Sequence, residues 1–513
     1  MDPQPWVLVA GVLLLVGVLA SKPSSRYGVP GLLLFLGLGM LAGSDGIGGI
    51  EFDDVELARS FGIVALAFIL FSGGLSTKYV DIRRVLAPGL TLATVGVAVT
   101  ALALGGLSSW LLDISLQEGF LLGAVVASTD AAAVFAILRS RGIAMEQRLG
   151  SMLELESGSN DPAAVFLTLA MIDVIEGDAG AGGIVASFFL QMSIGLVAGY
   201  VLARIASWTI NRVALDFDGL YPVLTFAFVL IVLEGVTQLG GSGFLALYVA
   251  GVTLGNRSFV HKRSLTRFHD AVAWLMQIGM FVMLGLLVFP SDFPDVVWPA
   301  LAVTALLMFV ARPLAAFATL LPYRLPARQI AFVSWVGLRG ATPIILATFP
   351  VAAGLENSSV LFNAVFFVVL TSVLIQGTTI STTAKWLKLG GDPPPPREIS
   401  FDSVITGDDG PQLHEVTVPP ASPAAGRALL ELGLPAGVLV VLVRRDDRSF
   451  MPQGGTVLEV DDDVLIVAEE EHRRRLAELF DAPLVDLEVH DVVEPVEPGE
   501  PDEPEGRAGT QGS

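Results

Sequence analysis

The chain has 513 residues, 53% of them apolar and only 16% charged, with a formal net charge of −21 and no cysteine. A soluble chain of this length carries about a quarter charged residues, so the balance excludes an ordinary soluble globular protein and points to the membrane. The lack of cysteine excludes disulfides, thiolate metal sites and cysteine nucleophiles.

The charge is unevenly placed. From Gly391 onward there are 27 Asp and Glu against 9 Arg and no Lys, so the first 390 residues are close to neutral. The chain therefore has two physical parts. Apolar runs long enough to cross about 30 Å of hydrocarbon fall at 5–21, 28–43, 56–76, 86–112, 119–138, 149–172, 183–210, 219–238, 243–256, 268–289, 296–320, 328–350 and 358–386. The first is not a secretory signal, because Lys22 and Arg26 follow the apolar run instead of preceding it.

The loops carry an orientation signal. Basic residues follow the odd-numbered runs: Lys78, Arg83 and Arg84; Arg139, Arg141 and Arg148; Arg212; Arg257, Lys262, Arg263 and Arg267; Arg324 and Arg328; Lys385 and Lys388. Loops after even-numbered runs hold only acids, such as Asp45, Asp113, Asp178 and Glu356. The positive-inside rule then places the N-terminus outside and the chain beyond the last run in the cytoplasm. The expected fold is a polytopic α-helical membrane protein of about thirteen transmembrane helices, followed by a small cytoplasmic α/β regulatory domain.

Two runs, the fifth and the twelfth, are interrupted by polar and small residues. These are Ser128-Thr129-Asp130 in one and Gly337-Leu338-Arg339-Gly340-Ala341-Thr342-Pro343 in the other. Broken helices seven apart and oppositely directed are what an inverted-repeat carrier needs. An open backbone at that depth is tolerated only if buried or lining a cavity.

Ionisable residues inside hydrocarbon are costly and mark function. Asp130 falls ~17 Å and Asp161 ~18 Å into adjacent antiparallel helices at 1.5 Å per residue, which brings both to mid-depth. A carboxylate buried there can be discharged by a proton or by a cation, and competition between the two is exchange. Thr129, Ser157 and Asn160 add uncharged oxygens. Arg339 and Arg312 are the deepest arginines of the later runs, and each needs an acidic partner or a carbonyl end. Glu154 and Glu156 are the candidate partners, with Glu156 and Arg339 expected to pair; Arg312 and Glu154 are further structural charges.

Beyond the last run, the Pro-rich linker at 391–411 leads to a small module at 412–482, with strands expected at 414–418, 438–445 and 464–468 and a helix at 424–432. The segment 483–513 is acidic and too poor in apolar residues to fold. Asp461-Asp462-Asp463 reads as a solvated turn, and His261 and His269 as exposed loop histidines.

The motif Glu156-Ser157-Gly158-Ser159-Asn160-Asp161-Pro162, with Ser128-Thr129-Asp130 before it and Gly337-Leu338-Arg339-Gly340-Ala341 after it, resembles the NhaP-type monovalent cation:proton antiporters over roughly residues 5–390. The resemblance implies a homodimer with a dimerisation domain and a moving core, working by an elevator-like motion in the bacterial plasma membrane. Asp161 would be the essential ion and proton carboxylate, Asn160 its neutral partner, and Thr129, Asp130 and Ser157 the lining of the site. Glu156 and Arg339 would form the internal salt bridge. Asn at 160 resembles the electroneutral branch, with one proton per cation. Some relatives carry an acid where this chain has Ser72, so the pattern departs there.

The 413–480 module, through Gly426-Arg427-Ala428-Leu429, Glu431-Leu432 and 438–445, resembles the TrkA-C ligand-binding domain of potassium conductance regulators. That combination looks most like the bacterial potassium/proton antiporters. It implies K+ or Na+ and H+ as substrates, no cofactor, lipid around the first part, a small-molecule or nucleotide ligand for the second, and no nucleic acid. A gated channel is the alternative, but no Thr-Val-Gly-Tyr-Gly filter is present. An intramembrane aspartyl protease built on Asp130 and Asp161 is the other, and it needs a proton-sharing dyad.

Overall fold

The computed structural model describes residues 8–19, 31–177, 180–213, 215, 217–289, 291, 293–391, 412–420, 422–435, 437–445, 448–468, 472–481 and 485–486. The chain divides into two compact units, Met1–Pro393 and Pro394–Ser513. Apart from Gly391, Val485 and Asp486, the expected linker and acidic tail lie outside the described residues.

The first unit is helical. It opens with α1 (Leu8–Leu19), α2 (Gly31–Ala42) and α3 (Val55–Ser76), then α4 (Leu86–Leu112). The fifth apolar run is two helices, α5 (Leu116–Val125) and α6 (Ala131–Ser140). It continues through α7 (Gln147–Glu176), α8 (Ala181–Arg212), α9 (Leu220–Gln238), α10 (Gly243–Gly255) and α11 (Lys262–Leu286). Last come α12 (Val296–Tyr323), the split pair α13 (Ala327–Trp335) and α14 (Thr342–Ala352), and α15 (Ser358–Trp386). Seven of the described helices are long and apolar enough to cross a membrane by length and composition. Only 11% of the most apolar window of α8 is buried against 56% for α15, so α8 is peripheral and α15 central.

Sequence explains the local geometry. Ser115 and Glu118 form a reciprocal capping box at the start of α5. Small residues then let α4 and α5 touch backbone to backbone: a Cβ at Gly123 would lie 2.3 Å from the Ala101 carbonyl oxygen. Both α4 and α12 contain a π-helical turn, at Leu92–Gly96 and Leu307–Ala311, the second immediately before Arg312. Such turns shift a helix face by one residue and recur near functional sites. A two-residue ribbon joins the loop after α6 to the end of the unit, β1 (Ala144–Met145) pairing antiparallel with β2 (Gly390–Gly391).

The second unit is a small sheet domain. Its strands β3 (Gln412–Thr417), β4 (Leu439–Arg445), β5 (Arg448–Phe450), β6 (Asp463–Ala468) and β7 (Val485–Asp486) stand in the order β5-β4-β6-β3-β7. Helix α16 (Arg473–Phe480) buries Leu476 and Phe480 in a core with Val416, Val443, Leu458 and Ile466. The helix expected at 424–432 does not form. Its backbone donors go elsewhere: Gly426 N–H to Leu458 O, Leu429 N–H to Thr456 O and Leu430 N–H to Gly454 O. Only a single 3₁₀ turn remains at Leu429–Glu431, with Gly426 and Gly433 in the left-handed region on either side.

Asp462 is not solvated as the sequence reading has it. It is fully buried, accepts two bonds from Arg445 (2.7 Å each) and one from the Glu459 N–H (2.8 Å). Burial alone would raise its carboxyl, but the Arg445 bonds and the Glu459 amide outweigh it and hold the group below the usual carboxylate range. His269 is also a correction: it lies within α11, 1% exposed, with Nε2 2.9 Å from the Thr225 hydroxyl and Phe71 edge-on to its ring. His261 stays at the helix start, half-exposed, beside Asp218.

Candidate functional site

The two interrupted runs meet at their breaks. Between α5 and α6 the chain is irregular at 128–130, with Asp130 extended, and the Asp130 N–H donates to the Leu338 carbonyl of the other break at 2.8 Å. One bond thus satisfies a donor of one open segment and an acceptor of the other, which is how irregular chain survives when buried. Asp130 caps α6, its Oδ1 accepting from the Ala133 N–H at 3.0 Å. Gly340 packs on that carboxylate, and a Cβ there would sit 2.4 Å from Asp130 Oδ2.

Helix α7 crosses beside this junction and supplies the motif residues. The Ser157 hydroxyl donates to the Thr129 carbonyl (2.9 Å) and accepts from the Ala131 N–H (3.2 Å). Asn160 Nδ2 donates to the Thr129 hydroxyl at 2.6 Å. One α-helical turn therefore reads the break of the fifth run through its backbone and side chain together. Asp161 is 7% exposed, and its Oδ1 has no hydrogen-bond partner; neither has Asn160 Oδ1. The unpartnered Asp161 oxygen is left for something that brings a proton or positive charge.

A cavity of about 820 Å³ reaches this point. Asp161, Asp130, Thr129 and Ser157 line it, whereas Asn160 lies behind the lining. The cavity also touches Asp81, just after α3, Arg139 in the last turn of α6 and Gln147 at the start of α7. Sequence reasoning missed several of its wall residues, among them Thr77, Tyr248 and Asp270, the last accepting from Ser72 Oγ at 2.6 Å. Thr77 follows the end of α3, Tyr248 lies mid-way along α10 and Asp270 two turns into α11, and such single residues carry no spacing that marks them.

The expected salt bridge is rearranged. Glu156 pairs with Arg312, bidentate at 2.6 and 3.0 Å, both side chains at most 4% exposed. Arg339 takes the other solution to its burial: Nη1 donates to the carbonyls of Ala127 and Ser128, each at 2.6 Å, at the C-terminal end of α5. That end carries orphan carbonyls and the negative pole of the helix dipole, which stabilise the guanidinium without a carboxylate, while its Nε and Nη2 make no hydrogen bond. Its own N–H is held by Ser372, which in turn bonds Gln376, whose amide donates to Trp335 O. Glu154 pairs with neither arginine; the Thr77 hydroxyl donates to it at 2.9 Å. None of Glu156, Arg312 and Arg339 lines the cavity.

A bundle of apolar helices with a buried, half-satisfied carboxylate at the crossing of two broken helices defines a helical, multi-pass membrane transporter. The chain belongs to the sodium/hydrogen exchanger family, whose transmembrane domain matches residues 11–386; a TrkA-C domain matches residues 413–481. It is 41% identical over 463 residues to the K(+)/H(+) antiporter NhaP of Alkalimonas amylolytica, covering 90% of this chain and 80% of that one. It is 40% identical over 480 residues to the K(+)/H(+) antiporter NhaP2 of Shewanella sp. strain MR-4, covering 93% and 83%. Among solved structures, the sodium proton antiporter MjNhaP1 from Methanocaldococcus jannaschii at pH 8 shares the fold. The TM-score is 0.66 at 22% identity, over 75% of this chain and 99% of that one.

Proposed function

We propose that the protein exchanges cytoplasmic K+ or Na+ for external H+, one for one, with Asp161 as the carboxylate that both ions discharge. The observation that carries this is the orphan Asp161 Oδ1, buried at the junction of the two breaks and open to the cavity. A carboxylate in that setting cannot stay charged and alone, so proton and cation compete for it. Thr129, Ser157 and Asp130 border the same space with oxygens suited to an alkali ion. The relatives named as K(+)/H(+) antiporters favour K+ as the first cation to test.

The cavity opens beside Asp81, Arg139 and Gln147, near the basic loops that the positive-inside rule assigns to the cytoplasm, which supports a cytoplasm-facing state. In that orientation the N-terminus is outside and the TrkA-C domain inside, where it binds a small ligand and regulates. An inverted repeat is supported by two pairs of matching irregularities seven apolar runs apart: the π-helical turns of α4 and α12, and the two breaks. An elevator-like movement of the broken-helix group within a homodimer fits a site held by backbone contacts among α5, α6, α7 and α13–α14. An aspartyl dyad is disfavoured, because Asp130 Oδ1 is committed to capping α6.

Proton flux in inverted membrane vesicles, measured on adding K+, Na+ and Li+ in turn, is the test. Cation-driven proton movement that disappears in a folded Asp161→Asn variant is expected; undiminished exchange by that variant would remove Asp161 from the mechanism.

A further inference from the structure

Two helical turns from Asp161, toward the basic-loop end of α7, the cavity wall carries a second set of oxygens. Positions 154, 157, 158 and 161 follow the i, i+3, i+4, i+7 spacing that puts side chains on one helix face, and all four line the cavity. Glu154 is half-buried there and accepts from the Thr77 hydroxyl at 2.9 Å. Thr77 Oγ1 also lies 2.7 Å from the Gly73 carbonyl, and its single hydrogen cannot serve both acceptors fully. Tyr248, reaching in from α10, is 5% exposed, and its hydroxyl has no hydrogen-bond partner.

This arrangement is built, not incidental. A Cβ at Gly158 would lie 2.3 Å from the Tyr248 ring, so only glycine admits the phenol against α7. At Gly74 a Cβ would lie 2.6 Å from the Tyr248 carbonyl, so α3 and α10 are held in direct backbone contact behind it. A buried phenol left without a partner is destabilising, and Tyr248 lines the same cavity as Glu154 and Thr77. The carboxylate and the two hydroxyl oxygens can all offer lone pairs to a ligand in the cavity.

We propose that Glu154, Thr77 and Tyr248 form a second monovalent-cation position, a staging point between the cytoplasmic mouth and Asp161; it rests on Asp161 being the exchange carboxylate. One carboxylate with neutral hydroxyl oxygens suits an alkali ion and supplies too little charge for a divalent one. The separation along α7 is ~10 Å at 1.5 Å per residue, far enough for separate occupancy and near enough for direct transfer. A fixed anion on the cavity wall raises the local cation concentration, so the position lowers the cation concentration needed for half-maximal exchange and leaves the exchange step to Asp161.

The test uses the full-length protein in proteoliposomes. Glu154→Gln is expected to raise the KM for K+ roughly fivefold with the maximal rate little changed, the pattern of lost ground-state binding. Tyr248→Phe, which keeps the ring packed on Gly158, is expected to raise it roughly twofold. If Tyr248→Phe is silent and excess impermeant choline salt erases the Glu154→Gln effect, Glu154 is a diffuse surface charge and the proposal is overturned. An unchanged KM in both variants overturns it as well. Separately, Asp161→Asn protein should lose exchange yet keep thermal stabilisation by RbCl over choline chloride, and should lose that stabilisation when Glu154→Gln is added. Stabilisation that survives in the double variant counts against the second position, whereas exchange that survives in Asp161→Asn counts against the primary one.

Discussion

The pairing of Glu156 with Arg312 can be tested by a double-mutant cycle. Both side chains are nearly inaccessible and the contact is bidentate, so deleting either partner strands a charge in a medium that solvates it poorly. Breaking a buried pair of this kind costs about 3–5 kcal/mol, whereas replacing both partners with apolar residues of similar size is close to neutral. Glu156→Leu and Arg312→Leu should each lower the melting temperature in detergent by several degrees, and the double variant should recover most of the loss. That corresponds to a coupling of about 3 kcal/mol. The same cycle between Glu156 and Arg339 should be far closer to additive, because Arg339 is bonded to the Ala127 and Ser128 carbonyls instead. A larger coupling for Glu156 with Arg339 than with Arg312 would refute the arrangement. Intrinsic tryptophan fluorescence during thermal unfolding suffices as the readout.

Asp130→Ala should destabilise the start of α6 by about 1 kcal/mol, while Asp130→Asn, which still caps, should cost only a few tenths; thermal melts of the two variants distinguish cap from charge. Gly340→Ala drives a methyl into the Asp130 carboxylate and should abolish exchange in vesicles while the protein remains folded and membrane-inserted. In the second unit, the lowered carboxyl of Asp462 contributes stability that is full above the ordinary aspartate range, about pH 4, and is lost as pH falls through the folded-state value. Hydrogen exchange of β4 and β6 peptides should therefore lose protection in acid earlier than the α7 core does, and Asp462→Asn should show the loss already at neutral pH. Removing residues 398–513 should leave cation/proton exchange intact and alter its pH response or activation; a folded but inert truncation would contradict a regulatory role.

Much of the transporter fold was legible because membrane helices announce themselves by length and hydropathy, and the two breaks by polar residues where apolar ones are expected. The residues gathered at the crossing were legible for the same reason: Asp130, Ser157, Asn160 and Asp161 are polar within long apolar runs and so stand out. Their partners were less so. Arg312 and Arg339 are both deep arginines, and spacing alone cannot say which one meets Glu156. The π-helical turn before Arg312 re-aims that side chain by an amount no periodicity count includes. His269 was misjudged because it begins an amphipathic stretch, and burial beside Thr225 depends on how α9 and α11 pack. In the sheet domain, 424–432 has helical composition, but long-range backbone bonds to 454–458 override that propensity.

The ribbon between Ala144–Met145 and Gly390–Gly391 has a mechanical consequence. Gly391 is hydrogen-bonded to the short segment that follows α6, the helix whose first turn is capped by Asp130. The last described residues of the first unit are thus fastened to the loop that leaves a half-helix lining the cavity, so the two move as one piece.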